Sequence, residues 1–221
     1  MSVEWMVIRG SGLVAYLLLS GATIWGLLMS TKVLGSAVKA KGVAWFHESL
    51  AIGALVATVV HMVALSLDEF IDFDAYDLFV PGAAGWRPYA VALGTFAFYG
   101  MVVVSMSFYV KKVIGQAAWR AIHYLSFGIF GAALFHGVLA GTDSSHPAVF
   151  AGYAATGAVV VLLVAVRVAT AGAAPIRSGR VADALRRQAA AGAGDPASHP
   201  RPIRPTATEA SPVRSVAAES G

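Results

Sequence analysis

The chain contains no cysteine among its 221 residues. This absence excludes disulfides, thiolate nucleophiles, cysteine-bound iron–sulfur clusters and the covalent attachment of a c-type haem. Charged residues are also scarce, at 13% of the chain against about 25% in soluble domains. Glycine-rich nucleotide-binding and phosphate-binding motifs do not occur. The sequence therefore favours neither thiol nor nucleotide chemistry, and it predicts no nucleic-acid partner.

Apolar sequence is abundant, with 57% hydrophobic residues and a mean hydropathy of +0.70. Five stretches free of Asp, Glu, Lys and Arg are long enough to cross about 30 Å of hydrocarbon at about 1.5 Å per helical residue. They cover residues 10–31, 49–67, 88–110, 121–142 and 144–166. The sequence predicts an all-α integral membrane protein, a five-helix transmembrane bundle in contact with membrane lipid.

The charges of the connecting segments predict the orientation of this bundle. Basic residues follow the first and third predicted helices, and acidic residues follow the second. Because Lys and Arg collect in cytoplasmic loops, the N-terminus is predicted outside and the C-terminus inside a plasma or inner membrane. The residues concerned are Lys32, Lys39, Lys41, Lys111, Lys112 and Arg120 on the basic side, and Asp68, Glu69, Asp72, Asp74 and Asp77 on the acidic side.

The composition changes near residue 171, where Ala, Pro, Gly, Ser and Arg become dominant. Such a segment has little to bury, so we expect a transmembrane domain over 1–170 and a mostly disordered, basic cytoplasmic tail over 171–221. Within this tail, residues 181–190 are either a short basic helix on the anionic inner leaflet or part of the solvated tail.

Four of the six histidines lie in predicted helices two and four. His47 and His61 are 14 positions apart, which on a helix means a rise of about 21 Å on nearly the same face. His123 and His136 lie at two matching depths on helix four, which is predicted to run in the same direction. Imidazole within a membrane is costly without a partner and is a common metal ligand, so each pair predicts a functional site.

This spacing favours two cofactors, each held between two histidines in a four-helix type of bundle. His47 and His123 form the pair predicted near the cytoplasm, and His61 and His136 form the pair nearer the outside. One metal ion cannot bind ligands about 20 Å apart, and two separate two-histidine metal sites would need further ligands. Haem b with two axial imidazoles fits these requirements.

The 13-residue spacing on helix four turns His136 well away from the face of His123. We therefore expect either a helix irregularity near Gly128 and Gly131 or cofactors at different azimuths around this helix. Phe127 and Phe130 lie between the two histidine levels, either separating the cofactors or packing in the core. Small residues near the histidines provide room for a planar cofactor or serve helix packing: Ala51, Gly53, Ala54, Ala57, Gly128, Gly131, Ala132 and Ala133.

With H-x13-H on one helix and H-x12-H on the next but one, residues 9–170 resemble the ferric reductase-like transmembrane family. It includes ferric-chelate reductases, the membrane part of NADPH oxidases and the haem-binding membrane subunit of the periplasmic methionine-sulfoxide reductase system. The resemblance implies two stacked b haems, with His47 and His123 ligating the inner one and His61 and His136 the outer one. It implies a b-type cytochrome, an oxidoreductase component that transfers electrons across the membrane.

The chain departs from larger family members, which continue into a flavin and NAD(P)H domain and commonly have six helices. The donor would then be a separate flavoprotein reductase or a membrane quinol, so that flavin or quinone comes with a partner. The acceptor would be extracytoplasmic, such as ferric iron or a partner protein. For the anionic haem propionates, Arg120 and Lys41 are the expected inner partners and Arg87 the outer one.

Four other interpretations concern the outer loop, the remaining histidines and the function class. The acidic loop either concentrates cations or forms a solvated face with Phe70, Phe73 and Phe79 in the interface. His146 and His199 are expected to be surface residues. An ion or proton transporter that uses buried histidines is an alternative function, although broken helices and further buried carboxylates are not evident. A haem-binding membrane subunit without turnover is the other alternative.

Overall fold

The computed structural model describes residues 3–31, 40–68 and 72–192. All regular structure in these ranges is helical. The elements are α1 (Val3–Thr31), α2 (Ala40–Ser66), α3 (Ala75–Phe79), α4 (Pro88–Ala140), a 3-10 turn (Thr142–Ser145) and α5 (Pro147–Gly192).

Within the described ranges, four helices are long and apolar enough to cross a membrane. Their apolar parts are Val3–Thr31, Ala44–Ser66, Pro88–Ala140 and Pro147–Thr170. The prediction of an all-helical membrane protein is thereby confirmed at this coarse level. The count differs from the predicted five because residues 88–110 and 121–142 belong to the single 53-residue element α4.

Helix α4 reverses direction at Gly115. This residue has φ 82° and ψ 159°, a conformation that is essentially restricted to glycine. On either side of it, Ile129 packs against Gly100, and the His136 ring is hydrogen-bonded to the Ala90 carbonyl at 2.7 Å. A straight helix would hold Ala90 and His136 about 70 Å apart. The two halves of α4, residues 88–114 and 116–140, therefore lie side by side and antiparallel.

Helices α1 and α2 form a second antiparallel pair. Gly12 of α1 lies against His61 of α2, and Gly26 lies against His47. A buried cluster joins α1, α2 and both halves of α4, and Ala54 at its centre has no exposed surface. Its buried members are Leu19, Ala54, Ala97, Met101 and Ile129. The four segments thus form the four-helix arrangement that the histidine spacing predicted.

The described part of the loop after α2 contains a short helix with a capped start. Asp74 and Asp77 form a reciprocal capping box at the start of α3, so two acidic side chains serve the helix end. Phe73 is 6% exposed and packs in a cluster with Leu78, which corrects the expectation that it lies in the interface. Phe79 is 46% exposed. Phe70 and Glu69 lie outside the described residues.

Helix α5 continues to Gly192, into the segment expected to be disordered from residue 171. Alanine, the strongest helix former, is frequent there, and this explains the regular backbone. The chain divides into two compact units, Met1–Ala173 and Ala174–Gly221. The remainder of the predicted tail, residues 193–221, lies outside the described residues.

Candidate cofactor site

The four helical histidines form two facing pairs. The rings of His47 and His123 have centroids 6.1 Å apart and planes inclined by 68°. Those of His61 and His136 are 6.5 Å apart with planes inclined by 78°. The structure therefore brings together the residue pairs that the sequence predicted.

Three of the four imidazoles are fixed by a backbone carbonyl on a neighbouring segment. The Nδ1 atoms of His47, His61 and His136 lie 3.0, 2.9 and 2.7 Å from their carbonyl oxygens. A carbonyl only accepts, so each Nδ1 carries the proton and donates it. In a neutral ring the Nε2 lone pair is then available to a metal. This is the usual support of a metal-binding histidine.

A glycine lies one helical turn beyond each accepting carbonyl. In a helix the carbonyl of residue i already accepts from the N–H of residue i+4, and its second lone pair can accept from an imidazole. A Cβ on the glycine would lie 3.1 Å from the rings of His61 and His47, and 2.7 Å from that of His136. The carbonyl and glycine pairs are Ile8 with Gly12, Ala22 with Gly26, and Ala90 with Gly94.

Sequence reasoning missed these glycines, although the sequence contains a signal for two of them. Gly12 and Gly26 have the same 14-residue spacing as His47 and His61. On an antiparallel neighbour, equal spacing places each glycine opposite one histidine. The small residues chosen from the sequence lay on the histidine helices instead. Of these, Gly128 and Gly131 have no neighbour within 4 Å of an added Cβ, so they do not provide the close approach.

A cavity adjoins each histidine pair. The cavity at His61 and His136 has a volume of about 520 Å³, and the one at His47 and His123 about 420 Å³. Both are lined mainly by apolar side chains of α1, α2 and the two halves of α4. These volumes lie in the range of cofactor sites, which is about 300–1,000 Å³.

The pair geometry fits a bis-imidazole metal centre. Two imidazoles that bind one ion from opposite sides, with metal–nitrogen bonds of about 2.0–2.1 Å, have ring centroids about 6–6.5 Å apart. Both observed distances fall in or next to this range. In the described part of the chain, no group of three or more His, Cys, Asp or Glu side chains converges to hold a metal ion.

His123 is supported differently from the other three. In the described structure its ring has no hydrogen bond and instead stacks on Trp119, with centroids 5.3 Å apart and planes inclined by 23°. Gly128 and Gly131 lie within regular helix, and Gly115 is the residue of α4 with non-helical angles. The expected irregularity near Gly128 and Gly131 is therefore wrong. The two rings that are 13 residues apart have different neighbours: His123 stacks on Trp119, and His136 is bonded to the Ala90 carbonyl.

The expected propionate partners lie outside the cavity linings. Arg87 is exposed, stacks on Trp86 and donates to the Leu139 carbonyl, and Arg120 is exposed. The side chain of Lys41 lies outside the described part. Two other arginines that the sequence reasoning did not select line the cavities, Arg9 at His61 and His136 and Arg167 at His47 and His123. Arg9 directly precedes the first predicted helix and Arg167 directly follows the fifth, so both had the same sequence signal as Arg87.

Leu19 and Met101 line both cavities and therefore separate them. Phe127 lines only the cavity at His47 and His123. Phe130 is buried in a core cluster with Tyr16 and the α5 residue Tyr153. The barrier between the two sites is thus aliphatic and not the pair of phenylalanines considered from the sequence.

Arg9 and Asp143 form an ion pair that joins α1 to the turn after α4, beside the cavity at His61 and His136. The side chains are 28% and 22% exposed, and Arg9 Nε donates to Asp143 at 2.6 Å. We expect Arg9→Gln and Asp143→Asn each to lower the thermal midpoint of the purified protein, with a coupling of about 1 kcal/mol in the double variant. Glu4→Gln on α1 is the control. Additive effects of the two changes would contradict the pairing.

Comparison of the chain with protein-family models, curated proteins and solved structures finds no match. The functional argument therefore depends on the site geometry alone.

Proposed function

We propose that this protein is a membrane b-type cytochrome that relays electrons across the membrane through two haems. His47 and His123 hold one haem, and His61 and His136 hold the other. The observation that carries the proposal is the two pairs of facing imidazoles. Their ring centroids are 6.1 and 6.5 Å apart, and each pair lies beside a cavity of cofactor size. Bound at these sites, haem supplies reversible one-electron chemistry at its iron.

The protein's own residues would hold, orient and shield the cofactors. The carbonyls of Ile8, Ala22 and Ala90 fix the ring planes and raise the basicity of the ligating nitrogens. Two imidazoles per iron leave no coordination position for a substrate, which suits transfer without bond making. The apolar cavity walls keep water away and lower the local dielectric. Arg167 provides positive charge for anionic groups of the cofactor at the His47 and His123 site, whereas the charge of Arg9 is balanced by Asp143.

In this proposal α4 crosses the membrane twice, with Gly115 at the turn. The antiparallel contacts between its halves support this topology, and each half has about the length that crosses 30 Å of hydrocarbon. The protein then has five crossings, with the N-terminus outside, as the loop charges favour. With haem bound, the site at His47 and His123 would take electrons from a cytoplasmic flavoprotein or a quinol, and the site at His61 and His136 would pass them to an extracytoplasmic acceptor.

The test is the haem content and spectrum of the full chain purified in detergent from cells supplied with haem. We expect about two haems per chain without covalent attachment, and a b-type α band after reduction with dithionite. The ratio of pyridine haemochrome to protein measures the content. Protein that is folded by circular dichroism and contains no haem would overturn the proposal, and a single haem per chain would refute the two-site form.

A further inference from the structure

The support of His123 differs from that of the other three histidines, and the difference begins in the sequence. The antiparallel register of α4 places Gly94 against His136 and Gly100 against Ile129. Continued towards Gly115, this register leads to residues 101–114, which contain no glycine. The half of α4 that faces His123 therefore lacks the small residue that lies against each of the other three rings.

Trp119 lies beside the His123 ring on the same half of α4. It precedes His123 by one helical turn, so that the two side chains are neighbours on one face, and their rings stack at 5.3 Å. The Lys111 ammonium lies 5.8 Å from the centroid of the Trp119 ring, which is within the range of a cation–π contact. The indole is therefore held on one face by His123 and approached by a cation.

Among the described residues, the indole N–H of Trp119 has no hydrogen-bond partner, although the nitrogen is buried. A buried donor without an acceptor costs about 1–3 kcal/mol and is rarely retained without a reason. Trp119 also lines the cavity at His47 and His123. The indole is therefore kept beside the cavity at a cost in stability, which fits a role for its ring there.

We propose that Trp119 is the positioning residue of the His47 and His123 site: its ring fixes the plane of the His123 imidazole. The inference rests on the proposed function and adds to it a residue that makes the two sites inequivalent. At the His61 and His136 site two carbonyls orient the ligands. At the other site one carbonyl and one indole do so.

Two substitutions in the full chain test the role of the Trp119 ring. Trp119→Phe retains an aromatic ring, whereas Trp119→Leu removes it. Trp45 is 68% exposed and lines neither cavity, so Trp45→Phe and Trp45→Leu are matched controls. Haem content, the low-spin ferric signals in electron paramagnetic resonance and the midpoint potential of each haem are measured. The His61→Ala and His123→Ala variants assign the signals to the two sites.

We expect Trp119→Leu to lose or alter the haem signal of the His47 and His123 site and to leave the other signal unchanged. Trp119→Phe should retain the signal, because its ring still stacks. Its midpoint potential should also stay at the parent value. The Trp45 controls should match the parent. The intact signal of the second site shows that a variant is folded.

Two outcomes would overturn the inference, and they differ from failure of the proposed function. If the parent protein binds two haems and both Trp119 variants retain both signals and both potentials, Trp119 has no positioning role. If the variants change only the His61 and His136 signal, the assignment to His123 is wrong. If the parent protein binds no haem, the proposed function fails and the inference fails with it.

Discussion

Replacing Gly94 with alanine is expected to remove about half of the bound haem, because overpacking at this position displaces a ligand ring. The new Cβ would lie 2.7 Å from Cε1 and Nδ1 of His136, closer than any relaxed contact allows. The ring must turn away, and its bond to the Ala90 carbonyl breaks. Haem content per chain and the signal of the His61 and His136 site measure the effect.

Gly128→Ala is the matched control for this prediction. It lies on the same helix α4 and has nothing within 4 Å of an added Cβ, so haem content should remain unchanged. Alanine also favours helix over glycine by about 1 kcal/mol, and a loss at Gly94 therefore cannot be attributed to helix propensity. Gly12→Ala, where the contact is 3.1 Å, should give a smaller loss. Equal haem content in Gly94→Ala and the control would contradict the role of Gly94.

The sequence predicted the helical membrane fold and the pairing of the histidines because both follow from regular periods. Apolar runs of spanning length give the helices, and a 14-residue spacing returns His61 to the face of His47. The pairing also used the loop charges, which give helices two and four the same direction. Both inferences could therefore be made before any contact was known.

The support of the rings could not be predicted, because it depends on which residues of other helices lie opposite. The bond from His136 to Ala90 depends on the turn at Gly115, and that turn sets the register of α4. Arg9 was hidden for the same reason, since its relation to the cavity depends on the packing of α1. Arg87 was favoured by its position near a predicted helix end, whereas the structure turns it towards Trp86 and Leu139.

Replacing one histidine of either pair is expected to abolish electron transfer across the membrane while half of the haem remains. In His61→Ala the ligand of one site is lost, and the His47 and His123 pair is untouched; His47→Ala gives the reverse. The two levels are about 20 Å apart along the helices, and tunnelling rates fall exponentially with distance. One remaining site therefore cannot bridge the membrane at the parent rate.

The rate of electron transfer is measured in liposomes that contain the purified protein and enclose ferricyanide, with dithionite added outside. The parent protein should reduce the enclosed ferricyanide, and both variants should fall to the rate of protein-free liposomes. His146→Asn is the control, because His146 is exposed and lines neither cavity. Transfer at the parent rate in a variant with one haem would refute two sites in series.

A parent protein that binds two haems and transfers no electrons would instead be a haem-binding subunit without turnover. Haem content and transfer rate together therefore decide between the relay and that alternative.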